Sequence, residues 1–260
     1  MAVSKTYPAA TIVEAAGLGL SLFGESRVQE FSAKALELEQ LRQPAAQAAE
    51  RPQLASGHDF SRAENAAESA LALAPEVSFA GLTHAASHVL AANSRVIRVH
   101  LIGHLQTNKA ARAAELFDAI DSLDSLRLAE RLNEAAGKLG KRLPVLIEVK
   151  LSAEDTKVGL EPESLAAAEL LERLPDLEHL ETRGLMTIAP WGTAEDVTRA
   201  CFRSLRLWRD RWAVEHPKLK LDVLSMGMSG DFALAIEEGA TRIRVGTALF
   251  GKRAPWAEPE

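Results

Sequence analysis

From residue 98 onward the chain alternates between two hydrophobic rhythms. Short apolar runs of four to seven residues are followed by longer stretches whose apolar positions recur every three or four residues, the spacings of buried strands and of amphipathic helices. The runs at 98–102, 117–120, 145–149, 180–186, 221–224 and 242–245 read as strands. The stretches at 109–116, 125–139, 162–174, 194–216 and 231–238 read as helices, with Ser125 placed to cap the second. The amino-terminal part carries the same rhythm more weakly. Ala2 and Val3 end a short strand, Thr11 can cap a helix through Ala16, residues 20–23 make a second strand, and residues 28–42 make a helix rich in Ala, Leu, Glu and Lys. Eight strands that alternate with helices predict an α/β protein with a parallel sheet. Eight such units close into a (β/α)₈ barrel, the TIM-barrel architecture. The competing open, doubly wound sheet lacks its Gly-x-Gly-x-x-Gly turn after the first strand.

One stretch breaks the rhythm. Residues 43–94 are rich in Ala, Ser, Glu and Pro, without strand-like alternation, and Pro44, Pro52 and Pro75 interrupt it. It reads as an insertion within a single domain spanning residues 1–260, partly helical at 63–74. His84 and His88 stand four apart in it, with His58 further back, but no Glu or Cys ligand supports them at a metal-site spacing. No metal site is expected.

Composition narrows the function classes. The 260 residues are 47% hydrophobic, enough for a large core. A net charge of −6 and no basic stripe disfavour a nucleic-acid partner. No apolar run approaches the roughly 20 residues of a membrane span, and the first residues lack a signal-peptide pattern. The single cysteine, Cys201, excludes an internal disulfide. The expectation is a cytoplasmic protein.

Candidate chemistry gathers where strands end. Lys5 follows the first strand, and Pro8 prevents further sheet pairing. Barrel enzymes keep their chemistry at that rim. A lysine desolvated there has a lowered pKa and can attack an aldehyde; a surface lysine after a strand is the ordinary alternative. The same rim would carry Ser26, His104, Asn108, Lys157, Met186, Ser225, Ser229, Arg244 and Thr247. Two glycine-bearing turns, Gly227-Met-Ser-Gly230 and Arg244-Val-Gly-Thr247, stand after the seventh and eighth strands. Barrels commonly seat a phosphate there, on backbone N–H groups that glycine leaves accessible. An aldehyde-reactive lysine and a phosphate cradle imply one ligand bearing both groups, pyridoxal 5'-phosphate (PLP) being the obvious candidate. A class I aldolase acting on a sugar phosphate is another reading of the same pair.

The sequence resembles the PLP homeostasis protein family, single-barrel relatives of alanine racemase. The matching stretches are Ala2-Val-Ser-Lys-Thr6, Phe23-Gly-Glu25 with Arg27-Val-Gln-Glu30, and His100-Leu-Ile-Gly-His-Leu-Gln-Thr-Asn-Lys109. They continue with Ser152 and Lys157-Val-Gly159, Gly184-Leu-Met186, Leu224-Ser-Met-Gly-Met-Ser229 and Arg244-Val-Gly-Thr-Ala-Leu-Phe-Gly251. The resemblance implies that Lys5 carries the cofactor as a Schiff base and that Ser229, Gly246 and Thr247 hold its phosphate. It implies that Arg244 contacts the phosphate or approaches the ring nitrogen, and that Met186 packs near the ring. Ser26, Val99 and Lys150 depart from the family's usual Asn, Trp and Asn. A cofactor contact at Ser26 would be shorter, or made through water. The family's helix before the first strand is missing, which would leave a barrel flank to be covered by the insertion, a partner subunit or upstream residues.

A racemase of this fold class needs a second acid/base opposite the lysine, supplied in two-domain relatives by a tyrosine from a separate domain. Here the chain runs nine residues past Gly251, and its one tyrosine, Tyr7, is two residues from Lys5. His104 is the remaining neutral-pH candidate on the rim. The resemblance therefore implies a protein that binds and supplies PLP without strong catalysis, with apo PLP-dependent enzymes as partners and a monomer or weak homodimer as its state. A PLP-dependent amino-acid racemase is the alternative.

Overall fold

A computed structural model of the chain describes residues 1–49, 97–152 and 158–251. Seven strands form one sheet, each parallel to the next and ordered as in the chain: β1 (Ala2–Val3), β2 (Leu22–Glu25), β3 (Arg98–Leu101), β4 (Ala119–Leu123), β5 (Leu143–Glu148), β6 (Leu180–Met186) and β7 (Val223–Ser225). Helices α1 (Ala9–Gly17), α2 (Val28–Ala49), α3 (Ala110–Leu116), α4 (Leu126–Lys138), α5 (Leu165–Arg173), α6 (Glu195–Glu215) and α7 (Phe232–Glu237) alternate with them, and the short α8 (Thr247–Phe250) follows.

The expected eighth strand takes a different form. Residues 241–245 make no named strand, yet they bridge both free edges of the sheet: Arg242 pairs with Ser225 on β7, and Val245 with Ala2 on β1. The N–H groups of Thr241 and Arg242 both donate to the Leu224 carbonyl, and Val3 N–H donates to the Val245 carbonyl at 2.8 Å. The barrel is closed, through point contacts rather than a continuous ladder. Closure leaves no exposed edge for another chain to pair with.

Burial explains the elements. Every residue of β4 is buried, as expected of strands covered on both faces. In α4, Leu128, Ala129, Leu132, Ala135 and Ala136 are buried, a stripe of helical period, and Ser125 accepts the Leu128 N–H as the cap read from the sequence. The other cap differs: α1 begins at Ala9 after Pro8, and Thr11 lies inside it, because proline's fixed φ already suits a helix start. Helix α2 also continues through Pro44 to Ala49 rather than stopping at Arg42. The rest of the 43–94 segment, with its three histidines, and Lys157 lie outside the described residues.

The barrel interior is not wholly apolar. Asp121 on β4 accepts from His100 on β3 at 3.0 Å, and Arg242 of the closing segment donates to the same carboxylate at 2.9 Å. One buried carboxylate thus ties the closing segment to two strands across the barrel.

The β6–β7 contact is close enough to demand glycine. A Cβ on Gly184 would stand 1.9 Å from the Val223 carbonyl oxygen, and its φ of +152° disfavours any side chain. Gly184→Ala is expected to destabilise the barrel by about 3 kcal/mol, the range of forced overpacking, read as a lowered urea midpoint against the unsubstituted chain.

Candidate functional site

The strand ends meet at one rim, and the rim is organised from its lysine outward. Lys5 is half-buried in the turn after β1. The turn is held from beneath by α2. Lys34 donates to the Ser4 carbonyl at 3.0 Å and to Glu25 Oε1 at 2.7 Å, and the Ser4 hydroxyl donates to the same Glu25 oxygen at 2.8 Å. The Glu30 carboxylate accepts the Thr6 N–H. Thr6 has φ +70°, a left-handed conformation that a β-branched residue adopts only under constraint, and Glu30 and Lys34 supply that constraint. Burial pushes the Glu25 carboxyl above its ordinary pKa, and Lys34 pulls it back down. Isolated, such a carboxylate would be costly; paired and hydrogen-bonded it fixes the chain on either side of Lys5.

Beside Lys5, across the seam between β1 and the closing segment, lies the second group of sequence-identified residues. The Ser229 hydroxyl oxygen accepts from the N–H groups of Gly246 at 3.2 Å and Ala248 at 3.3 Å, where α8 begins. Thr247 stands exposed between them. A Cβ on Gly246 would meet the Val3 carbonyl oxygen at 3.4 Å, so the turn passes directly over β1. Gly227, at φ +88°, would carry a Cβ only 2.6 Å from that of Ala235; glycine lets the preceding turn pack onto α7. The lysine turn, the hydroxyls and the N–H donors therefore lie along one side of the rim. That donor set fits a ligand with an aldehyde at one end and a phosphate at the other.

The remaining residues named from the sequence divide. Arg244 is buried, its guanidinium donating to Ser225 Oγ at 2.9 Å and to the Thr187 carbonyl at 2.8 Å, which locks it to the ends of β6 and β7. Burial lowers its pKa, opposed by Asp121 and Glu148. Met186 is fully buried at the end of β6. Ser26 is half-buried after β2, its carbonyl so close to Gly103 that a Cβ there would stand 2.3 Å away. His104 is half-exposed and paired with Asp124 at 3.0 Å. Asn108 lies in a short 3₁₀ turn after β3. Tyr7 stays beside the lysine turn: its hydroxyl donates to the Gly251 carbonyl at 2.8 Å and its ring packs on Phe250 at 5.1 Å.

Two charged residues of the rim were overlooked in the pattern. Glu148 lies inside the run 145–149 read as an apolar strand, and a carboxylate there is itself a signal, whereas Glu25 becomes a strand residue only because β2 spans Leu22–Glu25 rather than 20–23. Glu148 is 6% exposed, and its Oε2 has no hydrogen-bond partner among the described residues. Burial, reinforced by Asp124 and opposed by Arg244, pushes its pKa up to about 8.

Among known proteins, the profile of the alanine racemase N-terminal domain family matches residues 1–254. The pyridoxal phosphate homeostasis protein of Vibrio cholerae is 35% identical over 254 residues, covering 97% of this chain and 84% of the relative. That of Aquifex aeolicus is 46% identical over 154 residues, covering 59% of this chain and 66% of the relative. The structure of PipY from Synechococcus elongatus PCC7942 with PLP bound superposes with a TM-score of 0.71 at 37% identity, covering 96% of this chain and 91% of that one.

The raised pKa of Glu148 has a consequence for stability. A carboxyl with a folded pKa near 8 and an unfolded value near 4.5 binds its proton more readily in the folded state. Stability contributed by that proton is complete below about pH 4.5 and is lost as pH rises toward 8. Glu148→Gln is expected to remove this slope and to gain a few kcal/mol at pH 8 to 9, measured by urea unfolding across pH. An unchanged slope would show that Glu148 ionises at an ordinary pH.

Proposed function

The chain belongs to the pyridoxal phosphate homeostasis proteins of the alanine racemase N-terminal domain family, and from that membership we propose that it binds PLP, with Lys5 as the attachment point, to buffer and supply the cofactor. The observation that supports this is the seam between β1 and the closing segment, where Val3, two residues before Lys5, pairs with Val245, just before the Ser229–Gly246–Thr247 turn. PLP supplies an electrophilic aldehyde and an electron-accepting ring. Everything else is the work of this chain. The Lys5 amine would hold the aldehyde carbon, with loss of the aldehyde oxygen as water, and the α2 clamp on Ser4 and Thr6 keeps its backbone in place. The N–H groups opening α8, which now donate to Ser229 Oγ, and the hydroxyls of Ser229 and Thr247 would hold the phosphate. Arg244, tied at both guanidinium arms, contributes fixed positive charge beneath the rim.

A carrier rather than a racemase is the reading supported at the opposite face. The one tyrosine is held beside Lys5 by Gly251 and Phe250, and His104 is engaged with Asp124. With both engaged, neither offers a free second acid/base, whose proton transfer would contribute roughly 10²–10⁴-fold. The curated relatives described above carry the name of a homeostasis protein, and PipY was seen with PLP bound. Apo PLP-dependent enzymes are the recipients such a carrier implies. The cytoplasm is the proposed compartment, where a chain with one cysteine needs no internal disulfide.

Two measurements test these statements. Lys5→Ala is expected to abolish both the visible absorbance of PLP-loaded protein and the borohydride-trapped adduct. In the Ser229→Ala/Thr247→Ala double variant the PLP dissociation constant should rise, by about 1.5–3 kcal/mol per hydroxyl lost to a charged acceptor. An adduct mapped to another lysine, or an unchanged dissociation constant, contradicts the assignment. Separately, proton NMR of L-alanine with the PLP-loaded protein in deuterated buffer should show no α-proton exchange at the ordinary enzymatic 1–10³ s⁻¹; turnover in that range overturns the carrier reading.

A further inference from the structure

The turn that carries Lys5 could take two forms, and the helix behind it selects one. The Tyr7 N–H donates to the Ser4 carbonyl at 3.1 Å, which makes residues 4–7 a hydrogen-bonded β-turn. Thr6, its third residue, has φ +70°, whereas the φ of Lys5 before it is not positive. That combination is a type II turn, a form that favours Gly or Asn at the third position. Threonine stands there instead, the one non-glycine residue with positive φ among those described. Local sterics alone would put a β-branched residue in the type I form, with φ about −90°. The two forms differ by a flip of the Lys5–Thr6 peptide group, which exchanges the directions of its N–H and C=O. Glu30 distinguishes them. Its carboxylate accepts the Thr6 N–H; in the type I form the same carboxylate, having no donor, would face the Lys5 carbonyl oxygen. We propose that Glu30 is a positioning residue, holding the lysine turn in its type II form and thereby setting how the Lys5 amine reaches the PLP aldehyde.

The inference rests on the PLP reading and adds to it a residue that acts from behind the lysine. Backbone dihedrals decide which side-chain rotamers are open. The flip moves Lys5 between extended and helical ψ, so each form of the turn gives the amine a different set of directions. The start of the turn is held as well. The Ser4 carbonyl accepts Lys34 Nζ at 3.0 Å in addition to the Tyr7 N–H, and its two lone pairs allow both. Glu30 and Lys34 are neighbours on one face of α2, 3.6 Å apart at a spacing of four residues. That face therefore grips the first carbonyl and the central N–H of the turn together. Lys34 is anchored in its turn on the buried Glu25 at 2.7 Å. The Glu30 side chain is 21% exposed and lies at the edge of the core, so truncating it opens no buried cavity. Strain beside a reactive side chain persists only where surrounding contacts over-determine it, and here the contact made by the strained residue's own N–H is Glu30.

The test separates attachment from phosphate binding in the full chain. Pyridoxine 5'-phosphate has the ring and phosphate but an alcohol in place of the aldehyde, so its affinity reports the cradle alone. PLP titrated to saturation and trapped with borohydride reports attachment, in which the Lys5 nitrogen bonds the aldehyde carbon and the oxygen leaves as water. In Glu30→Ala the PLP concentration for half-maximal attachment should rise about tenfold, the scale of one strained residue released. Affinity for pyridoxine 5'-phosphate should stay as it was. In the cofactor-free variant the Thr6 amide should exchange its hydrogen faster. Adding Thr6→Asn, which enters the left-handed region at lower cost, should recover most of the lost attachment. Three outcomes would each overturn the proposal: an unchanged attachment midpoint in Glu30→Ala, an equal loss for both ligands, or no recovery in Glu30→Ala/Thr6→Asn. No attachment at Lys5 in the unsubstituted chain is a different failure, which defeats the PLP reading itself and this inference with it.

Discussion

Closure of the barrel by residues 241–245 is the constraint on which the rest of the structure depends. Those five residues satisfy backbone groups of β7 on one side and β1 on the other, with too few pairings to count as a strand. Side chains add what the ladder lacks. Arg242 reaches the buried Asp121, already bound to His100, and Arg244 reaches Ser225 and the Thr187 carbonyl. Arg242 thus connects the last segment to β4, and Arg244 connects it to the end of β6, neither of which it pairs with. A buried ion pair of this kind has modest net stability, but removing one partner leaves an expensive uncompensated charge. The chain is therefore held to one closed register.

That closure sets the geometry of the functional rim. Parallel strands point their carboxyl ends the same way, so residues scattered from position 5 to position 247 converge without any local sequence relationship. The seam between first strand and closing segment places the lysine turn against the Ser229–Gly246 turn. The opposite side, at β3, β5 and β6, holds a cavity lined by Glu148 and Ser152, each with a side-chain oxygen unpartnered among the described residues. The rim thus has two chemically different halves. One is formed of converging N–H and hydroxyl donors around an amine, the other of aliphatic walls around a buried carboxyl. Arg244 lies between them, influencing Glu148 while hydrogen-bonded to the ends of β6 and β7.

The buried charges deserve comparison with one another, because burial acts on each differently. Glu25 has Lys34 and the Ser4 hydroxyl on the same oxygen, and these offset part of its desolvation. Glu148 Oε2 has no such partner among the described residues, and a neighbouring Asp124 adds to the penalty, so its carboxyl is pushed toward the protonated form. The first arrangement braces a backbone turn. The second keeps a proton available at an otherwise aliphatic cavity, the sort of perturbed group that marks functional sites more often than structural ones.

Much of this was legible in the chain itself. Strand and helix alternation, the Ser125 cap, the lysine after the first strand and the two glycine turns after the last ones are local or periodic features, and short-range sterics and burial produce them directly. Other features needed the folded molecule. Thr11 as a cap and a helix end at Arg42 are single-position readings that Pro8 and the continuing α2 override. The partners of Glu25, Asp121 and Arg244 lie on other strands or helices, at sequence separations that no local pattern records. Desolvation of Glu148 depends on what surrounds it from β4, the closing segment and its own strand end at once. By itself the sequence determined the alternation of strands and helices and the order in which their ends reach the rim, because those follow from backbone geometry and hydrophobic period. Only the tertiary structure decided which rim residues face one another and which carboxyls lose their water, because both are set by long-range closure of the barrel.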